Sequence, residues 1–192
     1  MNEKKYWTHR ISHEVNVSYS LLKKGYLTIG FAEFLDEYNI IEEIRTRELP
    51  YLDELCLDRW GKKLRSRYGL LRFINFQVND IVLLPRGKKF GFFQIVETAQ
   101  SIKELPIDNF LGSDGKMVTK QNDLLYHNEK TVDLGFFIKV IPITEFKLRT
   151  SYANSVLHYR MRYPQVNIEI TDLTSSVVES LNAMNQWSFK IY

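Results

Sequence analysis

The sequence has a single cysteine, Cys56, flanked by two leucines. One thiol excludes an intrachain disulfide and a thiolate zinc site, and its apolar neighbours predict a buried, unreactive side chain. No uninterrupted apolar run approaches the roughly 18 residues that a transmembrane helix needs. The first residues, MNEKKYW, lack the apolar core of a signal peptide. These absences favour a cytoplasmic protein that has no membrane partner.

The sequence also lacks the signatures of common enzymes. It contains no Walker phosphate loop, no dinucleotide-binding glycine run, no nucleophile elbow and no HExxH zinc motif. Asp80 and Glu97 flank a predicted hairpin, but they have neither the spacing nor the lysine of a carboxylate-dependent nuclease. The histidines are scattered and lack partner ligands for a metal ion: His9, His13, His127 and His158. We therefore predict no catalytic site, no metal and no cofactor.

Charge and aromatic content leave binding as the main functional class. A net charge of +3 does not identify a nucleic-acid-binding protein unless the cations cluster on one surface. Aromatic residues make up 14% of the 192 residues, which supplies a core and also rings for stacking pockets or interfaces. The distribution of cations and rings along the chain therefore decides between a binding surface and an ordinary core.

The stretch from residue 73 to residue 100 carries the strongest structural signal. Two apolar segments, residues 81–84 and 92–96, flank a run with one proline and two glycines, which predicts an antiparallel hairpin. Three cations lie on the loop at its tip: Arg86, Lys88 and Lys89. Asn79 precedes the first strand, in a turn where we expect it to have a positive φ.

Strand and helix patterns surround this hairpin. Three further strand regions are predicted: residues 6–11, 26–31 and 132–143. Apolar residues at helical spacing predict a helical insertion over residues 32–67, which Pro50 divides into two helices. Residues 12–20 are predicted as a loop. Residues 104–130 are polar and rich in turn residues, so we expect a long connection with one short strand at 117–119.

The last section is predicted to be helical. Residues 151–163 form one short helix, and a second begins near Thr171, where a hydroxyl or carboxylate side chain can cap it. We expect a first domain over residues 1–150 and a C-terminal helical segment, residues 151–192, packed on it. This segment is expected to lead into an effector, a nuclease or NTPase domain or subunit.

Three basic segments each contain or adjoin an aromatic residue: residues 59–72, 86–89 and 158–162. Guanidinium and ammonium groups contact nucleic-acid phosphates without reading sequence, whereas aromatic faces stack on exposed bases. We therefore predict ten phosphate contacts: Arg59, Lys62, Lys63, Arg65, Arg67, Arg86, Lys88, Lys89, Arg160 and Arg162. Solvated surface cations, and cations that complement a helix C-terminus, are the alternative interpretation.

Four short features follow one another in the sequence: Tyr6-Trp7-Thr8-His9-Arg10, Ile29-Gly30-Phe31, Asn79-Asp80-Ile81-Val82 and the β-branched run from Phe92 to Val96. With the helical insertion after the second of them, their order resembles the PUA-like superfamily, which includes EVE and related modified-base-reading domains. The resemblance spans residues 6–143. Asn79 stands where the family usually has glycine, and asparagine can adopt the same turn. The resemblance implies an α+β fold, a small bent antiparallel or mixed β-barrel with a helical insertion and C-terminal helices.

The resemblance also implies a function. Related domains occur at the N-termini of modification-dependent restriction systems, where they hold a flipped modified base in an aromatic cage. By this resemblance, the chain is expected to be the DNA-binding specificity domain of a bacterial-type restriction or antiviral defence protein. The implied base pocket consists of six residues: Trp7, His9, Tyr26, Phe31, Trp60 and Phe92. The alternatives are a core role for Trp7, an RNA-binding PUA-type module, and a protein-interaction or assembly module without nucleic-acid affinity.

Overall fold

Short strands and helices alternate along residues 3–186, which are the residues described by this computed structural model. Twelve strands occur in this range: β1 (Tyr6–His9), β2 (Tyr26–Ile29), β3 (Ile81–Arg86), β4 (Lys89–Ile95), β5 (Gln100–Ser101), β6 (Asn109–Leu111), β7 (Met117–Gln121), β8 (Leu124–His127), β9 (Lys130–Thr131), β10 (Phe136–Pro142), β11 (Lys147–Leu148) and β12 (Asn167–Glu169). Six α-helices accompany them: α1 (Val15–Lys23), α2 (Ile40–Trp60), α3 (Arg67–Ile74), α4 (Arg149–Tyr152), α5 (Ser155–Arg160) and α6 (Thr174–Gln186). The described chain is therefore an α+β protein, as the sequence predicts.

The predicted central hairpin is confirmed as β3 and β4, which pair along the whole length of β3. Its turn is the two residues Gly87 and Lys88, a tighter connection than predicted, and Gly87 has a φ of +55°. Arg86 and Lys89 face each other across the base of this turn and are exposed. Asn79 has the expected positive φ, +77°.

Eight strands form the main sheet, in the order β12-β1-β3-β4-β10-β2, with β11 paired to β4 and β5 paired to β10. β1 and β3 are parallel and the other pairs are antiparallel, so the sheet is mixed. Three strands separate β1 from β2 in this order, yet the His9 side chain of β1 reaches the main chain of Thr28 in β2. The sheet therefore curls into a half-barrel, in the direction that strand twist favours.

Alternation along β3 divides its residues between two cores. Val82 and Leu84 pack in a cluster with α2 and α3, and the free Cys56 is buried in this cluster. Ile81 and Leu83 pack on the opposite face, against residues of α5 and α6. A third cluster joins α1 to a second, smaller sheet. The main sheet is thus covered on both faces.

Residues 12–20, predicted as a loop, instead contain most of α1, so this prediction is wrong. Val17 and Leu21 lie four residues apart and are fully buried, which is the spacing of one helical face. Ser18 and Ser20 are buried as well. These polar residues on packed positions conceal the helical pattern in the sequence.

Residues 104–130 form most of a four-stranded sheet, β6 to β9, so the predicted long connection is wrong. The short strand predicted at residues 117–119 is confirmed as part of β7. The four strands pair consecutively as antiparallel hairpins. Asn122-Asp123 and Asn128-Glu129 form two of the turns, with φ between +47° and +66° at all four positions. These are type I′ turn values, so the polar residues that suggested a loop are hairpin signals.

The helical insertion between β2 and β3 is confirmed, and it continues past residue 67 through α3. α2 bends at Glu48, where φ is 52° and ψ is −134°, two residues before Pro50. The bend follows from the proline ring, which removes one helical hydrogen bond and clashes with the preceding turn. No helix within residues 3–186 has both the length and the apolarity needed to cross a membrane.

The C-terminal section is less helical than predicted. β12 joins the main sheet beside β1, so residues 167–169 complete the half-barrel as well as connecting α5 to α6. The predicted helix over residues 151–163 is represented by α5 and the end of α4. Residues 187–192, which we expected to lead into an effector, lie outside the described residues.

Asp80 ties the turn before β3 to the start of β1. Its side chain is buried, and Oδ1 accepts a hydrogen bond from the Lys5 N–H at 3.0 Å. Oδ2 accepts from Trp7 Nε1 at 2.9 Å and from the Gln77 N–H at 3.1 Å. Trp7 is 6% exposed, so it is a core residue, as in the alternative interpretation of its role.

We expect Asp80→Ala to lower the free energy of unfolding by about 3 kcal/mol, because it leaves several donors near the core without their acceptor. Urea unfolding followed by tryptophan fluorescence measures the loss. Asp108→Ala is the control, since Asp108 is exposed and its carboxylate makes no hydrogen bond within residues 3–186. A loss for Asp80→Ala as small as that for Asp108→Ala would contradict the structural role of Asp80.

Candidate functional site

A cavity of about 400 Å³ lies in the gap between β1 and β2. Its lining comes from the ends of these two strands, from α1, and from the end of α2. The volume falls within the range of roughly 300–1,000 Å³ that is typical of small-molecule pockets. Polar and aromatic groups from distant parts of the sequence meet here: His9, Ser18, Thr28, Phe31, Trp60 and Asp133.

Aromatic rings form one wall of the cavity. Phe31 stacks on Phe34 with ring centroids 5.5 Å apart, and Phe34 contacts Trp60 at 5.3 Å. Phe31 has a left-handed backbone, with a φ of 71°, which is costly for a residue with a large side chain. Gly135 permits a close approach to this backbone, because a Cβ there would lie 2.5 Å from the Phe31 carbonyl oxygen. A strained backbone thus places a flat ring at the cavity.

Two buried hydroxyl groups line the cavity near these rings. The Thr28 hydroxyl donates to Ser18 Oγ at 3.2 Å, and both residues are at most 3% exposed. Each hydroxyl is both a donor and an acceptor, so the pair retains capacity for a further hydrogen bond. Polar groups of this kind fix the orientation of a ligand in a pocket that is otherwise apolar.

His9 is buried at the end of β1, where it connects β1 to three other elements, β12, α3 and β2. The Asn167 side-chain amide of β12 donates to the Gly69 carbonyl oxygen of α3 at 2.6 Å, which leaves Asn167 Oδ1 to accept from His9 Nδ1. Burial lowers the pKa of His9 to about 4, although its contacts with Asn167 and with the main chain of Thr28 favour the charged form. The cavity is therefore lined by a neutral imidazole at pH 7.

A histidine and a carboxylate form the exposed part of the cavity rim. His13 Nε2 lies 3.6 Å from Asp133 Oδ2, and both side chains are about half exposed. A Cβ at Gly30 would lie 2.7 Å from His13 Nε2 and 2.9 Å from Asp133 Oδ2, so only glycine leaves room for this pair. The Ala32 N–H donates to Asp133 Oδ1 at 2.9 Å and orients the carboxylate.

The structure brings together three of the six predicted base-pocket residues: His9, Phe31 and Trp60. Trp7 and His9 share a face of β1, but Trp7 lies further from the strand end and is covered by Phe76, with ring centroids 4.8 Å apart. The strand end, and not the tryptophan, therefore reaches the cavity.

Trp7, Tyr26 and Phe92 do not line this cavity, which corrects their assignment to the base pocket. Alternation along β4 places the fully buried Phe92 on the face covered by the C-terminal helices. Tyr26 lies at the far end of β2, where its ring packs edge-on against Phe137 at 5.4 Å. The face of the strand that a residue occupies, and its distance from the strand end, explain why none of the three residues reaches the cavity.

Carboxylates already pair with four of the ten predicted phosphate contacts: Arg59, Lys63, Arg67 and Arg160. Arg59 contacts two carboxylates of the loop before α2, both at 2.7 Å. Asp53 bonds to Lys63 at 2.6 Å and to the buried Arg67, and these partners hold the pKa of Asp53 below its usual value. Because the neighbouring carboxylates cancel these charges, the four residues are poor candidates for phosphate contacts.

The other six predicted phosphate contacts have no carboxylate within ion-pair distance among residues 3–186: Lys62, Arg65, Arg86, Lys88, Lys89 and Arg162. Arg65 lines a groove of about 570 Å³, which shares Ser66 and Val166 with the cavity. Arg86 lies 4.4 Å above the ring of Tyr19. These cations remain available to an anionic partner.

Sequence reasoning missed Arg10, Ser18 and Asp133 as cavity residues. Arg10 follows directly after the end of β1 at His9, so strand alternation does not decide which way its side chain faces. Ser18 fell in the segment predicted as a loop. Asp133 reaches the cavity from a distant part of the chain, and no local pattern in the sequence indicates that approach.

Within residues 3–186, no group of three or more His, Cys, Asp and Glu side chains is arranged to hold a metal ion. Comparison with protein-family models, with curated proteins and with solved structures finds no match to this chain. The resemblance to the PUA-like superfamily therefore stays a prediction, and the geometry of the cavity carries the functional interpretation.

The depressed pKa of His9 should make stability depend on pH. Its folded pKa is about 4 and its ordinary value is 6.5, so the unfolded chain takes up the proton first as the pH falls. As the pH falls from 6.5 to about 4, the free energy of unfolding should therefore decrease by up to about 3 kcal/mol because of this group. At still lower pH, His9 should cause no further change.

In His9→Gln this slope should disappear, although the variant is expected to be less stable at neutral pH. Urea midpoints across the same pH window measure both effects. His158→Gln, which alters a histidine outside the cavity, should retain the slope of the unmodified protein. Equal slopes in His9→Gln and in the unmodified protein would show that His9 is not buried in its neutral form.

Proposed function

We propose that this chain is a nucleic-acid-binding module that holds one extruded nucleobase in the cavity between β1 and β2, with DNA as its target. The observation that carries the proposal is a cavity of about 400 Å³ that combines an aromatic wall with buried hydrogen-bonding groups. The two kinds of group are those that a flat, uncharged heterocycle requires.

The lining matches the two recognition surfaces of an extruded base. A base stacks on aromatic rings through its faces, at about 1–3 kcal/mol for each base, and Phe31 and Trp60 supply such rings. It forms hydrogen bonds through its edge, and Ser18, Thr28 and the neutral His9 supply donors and acceptors. A neutral imidazole suits an uncharged base, because it adds no buried charge to the complex.

Cations flank the cavity on two sides. Arg10 lines the cavity itself, and Arg65 lies with Tyr68 and Arg72 in the adjoining groove. Arginines at these positions support phosphate contacts that hold a strand across the cavity without reading its sequence. Six of the phosphate contacts predicted from the sequence are retained in this proposal: Lys62, Arg65, Arg86, Lys88, Lys89 and Arg162.

The finer fold that we propose is a PUA-like barrel. The half-barrel, the mixed sheet, the helical insertion between β2 and β3, and the position of the cavity in the gap between β1 and β2 support it. A place in a bacterial restriction or defence system, a separate effector nuclease or NTPase, and the lack of catalytic activity in this chain remain predictions from the sequence and its resemblance.

Trp60→Ala should weaken binding to duplex DNA that contains a target base by roughly 5- to 150-fold, because it removes one stacking face. Fluorescence anisotropy measures the affinity, and 2-aminopurine placed next to the target base brightens when that base leaves the stack. Gly30→Ala is a second variant, in which the added methyl group displaces only the side-chain ends of His13 and Asp133 and narrows the rim.

Tyr38→Ala is the matched control, since Tyr38 is 86% exposed and lies outside the cavity lining. It should bind as the unmodified protein does. The proposal is contradicted if both cavity variants keep the affinity and the 2-aminopurine brightening of the unmodified protein. It is also contradicted if the affinity does not fall with rising salt. In competition with single-stranded DNA and structured RNA, a preference for structured RNA would favour the RNA-binding alternative, and no binding at all would favour a protein-interaction module.

A further inference from the structure

Four arginines come from separate parts of the chain, and we call them the arginine cluster: Arg10, Arg86, Arg149 and Arg162. Arg86 stacks on the Tyr19 ring, and Arg149 bonds to Lys89, the residue opposite Arg86 in the central hairpin. Arg10 bonds to the residues on either side of Arg162. None of the four is within ion-pair distance of a carboxylate among residues 3–186. The cluster therefore differs from Arg59 of α2, Arg67 of α3 and Arg160 of α5, which lie beside carboxylates.

Uncharged partners hold the cluster in place. Arg10 Nη2 donates to the carbonyl oxygens of Met161 at 2.8 Å and Tyr163 at 3.1 Å, while its buried Nε has no hydrogen-bond partner among the described residues. Arg149 Nε donates to the Lys89 carbonyl oxygen at 3.3 Å. These contacts orient the guanidinium groups but cancel none of their charge.

Arg86 is held by aromatic rings instead. Its guanidinium lies 4.4 Å from the centre of the Tyr19 ring and 5.7 Å from that of Phe146. Such stacking leaves the edges of the guanidinium group free to donate hydrogen bonds. An arginine fixed in this way loses little side-chain entropy when it binds an anion.

The positive charges lie close enough to disfavour one another. The pKa of Arg149 is lowered by burial and then by the charges of Arg10 and Arg162. Burial raises the pKa of Tyr19, while Arg86, Arg10 and Arg149 act against that rise. Charge crowding of this kind costs stability, and a bound anion would relieve it.

We propose that the arginine cluster is a phosphate-binding site, and that it holds the backbone phosphate next to the base in the cavity. Arg10 connects the two, because it lines the cavity and also donates to the carbonyl oxygens on either side of Arg162. A phosphate group offers several oxygens to several guanidinium groups at once, which suits a cluster of arginines better than a single carboxylate does. The assignment to a nucleotide phosphate rests on the proposed function, whereas the affinity for phosphate does not.

The salt dependence of DNA binding tests the assignment. Arg149→Gln should weaken binding to all sequences alike and reduce the slope of log K against log salt by about 0.9, the value for one phosphate contact on duplex DNA. Arg160→Gln is the matched control, because Arg160 already pairs with Asp172 at 2.8 Å. An unchanged slope in Arg149→Gln, or an equal loss in Arg160→Gln, would overturn the assignment to the DNA backbone.

A probe without a base separates this inference from the proposed function. Sodium pyrophosphate should raise the Tm of the unmodified protein by about 2–4 °C over sodium chloride at equal ionic strength. The rise should persist in Trp60→Ala and in Arg160→Gln, and it should be lost in Arg149→Gln. No rise in the unmodified protein, or the same rise in Arg149→Gln, would overturn the phosphate site. A specific rise without any DNA affinity would support the site and reject the nucleic-acid function.

Discussion

The buried contact between His9 and Asn167 is the interaction on which the candidate site depends. It ties β1 to β12, continues through Asn167 to the Gly69 carbonyl of α3, and leaves His9 against the main chain of β2. Four elements that are far apart in the chain therefore meet at one imidazole ring. Because a charged ring would be far more costly to bury, the neutral state of His9 and the curl of the sheet depend on each other.

Charge is distributed in two ways over this protein. The cations of α2, α3 and α5 that were predicted as phosphate contacts lie beside carboxylates, as Arg67 does with Asp53. The arginine cluster has carbonyl oxygens and aromatic rings around it instead. The most basic segment of the sequence is thus partly paired with carboxylates. Arg10 and Arg149, which come from weakly basic segments, have no carboxylate within ion-pair distance among residues 3–186. Local charge density alone therefore misidentifies the surface that can attract an anion.

Local patterns predicted the features that depend on neighbouring residues. The central hairpin, the positive φ of Asn79 and the break near Pro50 all follow from short-range turn and proline chemistry. The patterns failed where polar residues occupy packed or turn positions, as in α1 and in the hairpins of the small sheet. Three of the six residues predicted for a base pocket line the cavity and three do not, because the strand end that borders the gap is decided by pairing between distant segments. No periodicity encodes that His9 lies beside Thr28.

The pairing of β12 with β1 has a consequence for how the chain reaches its final form. Trp7 lies opposite Glu169, so this ladder joins residues from nearly opposite ends of the described chain. The small sheet, by contrast, is built from consecutive hairpins, whose loops close quickly. During synthesis the small sheet has all its strands well before β12 emerges from the ribosome. The cavity between β1 and β2 therefore acquires its His9–Asn167 support only after more than 150 further residues have been made.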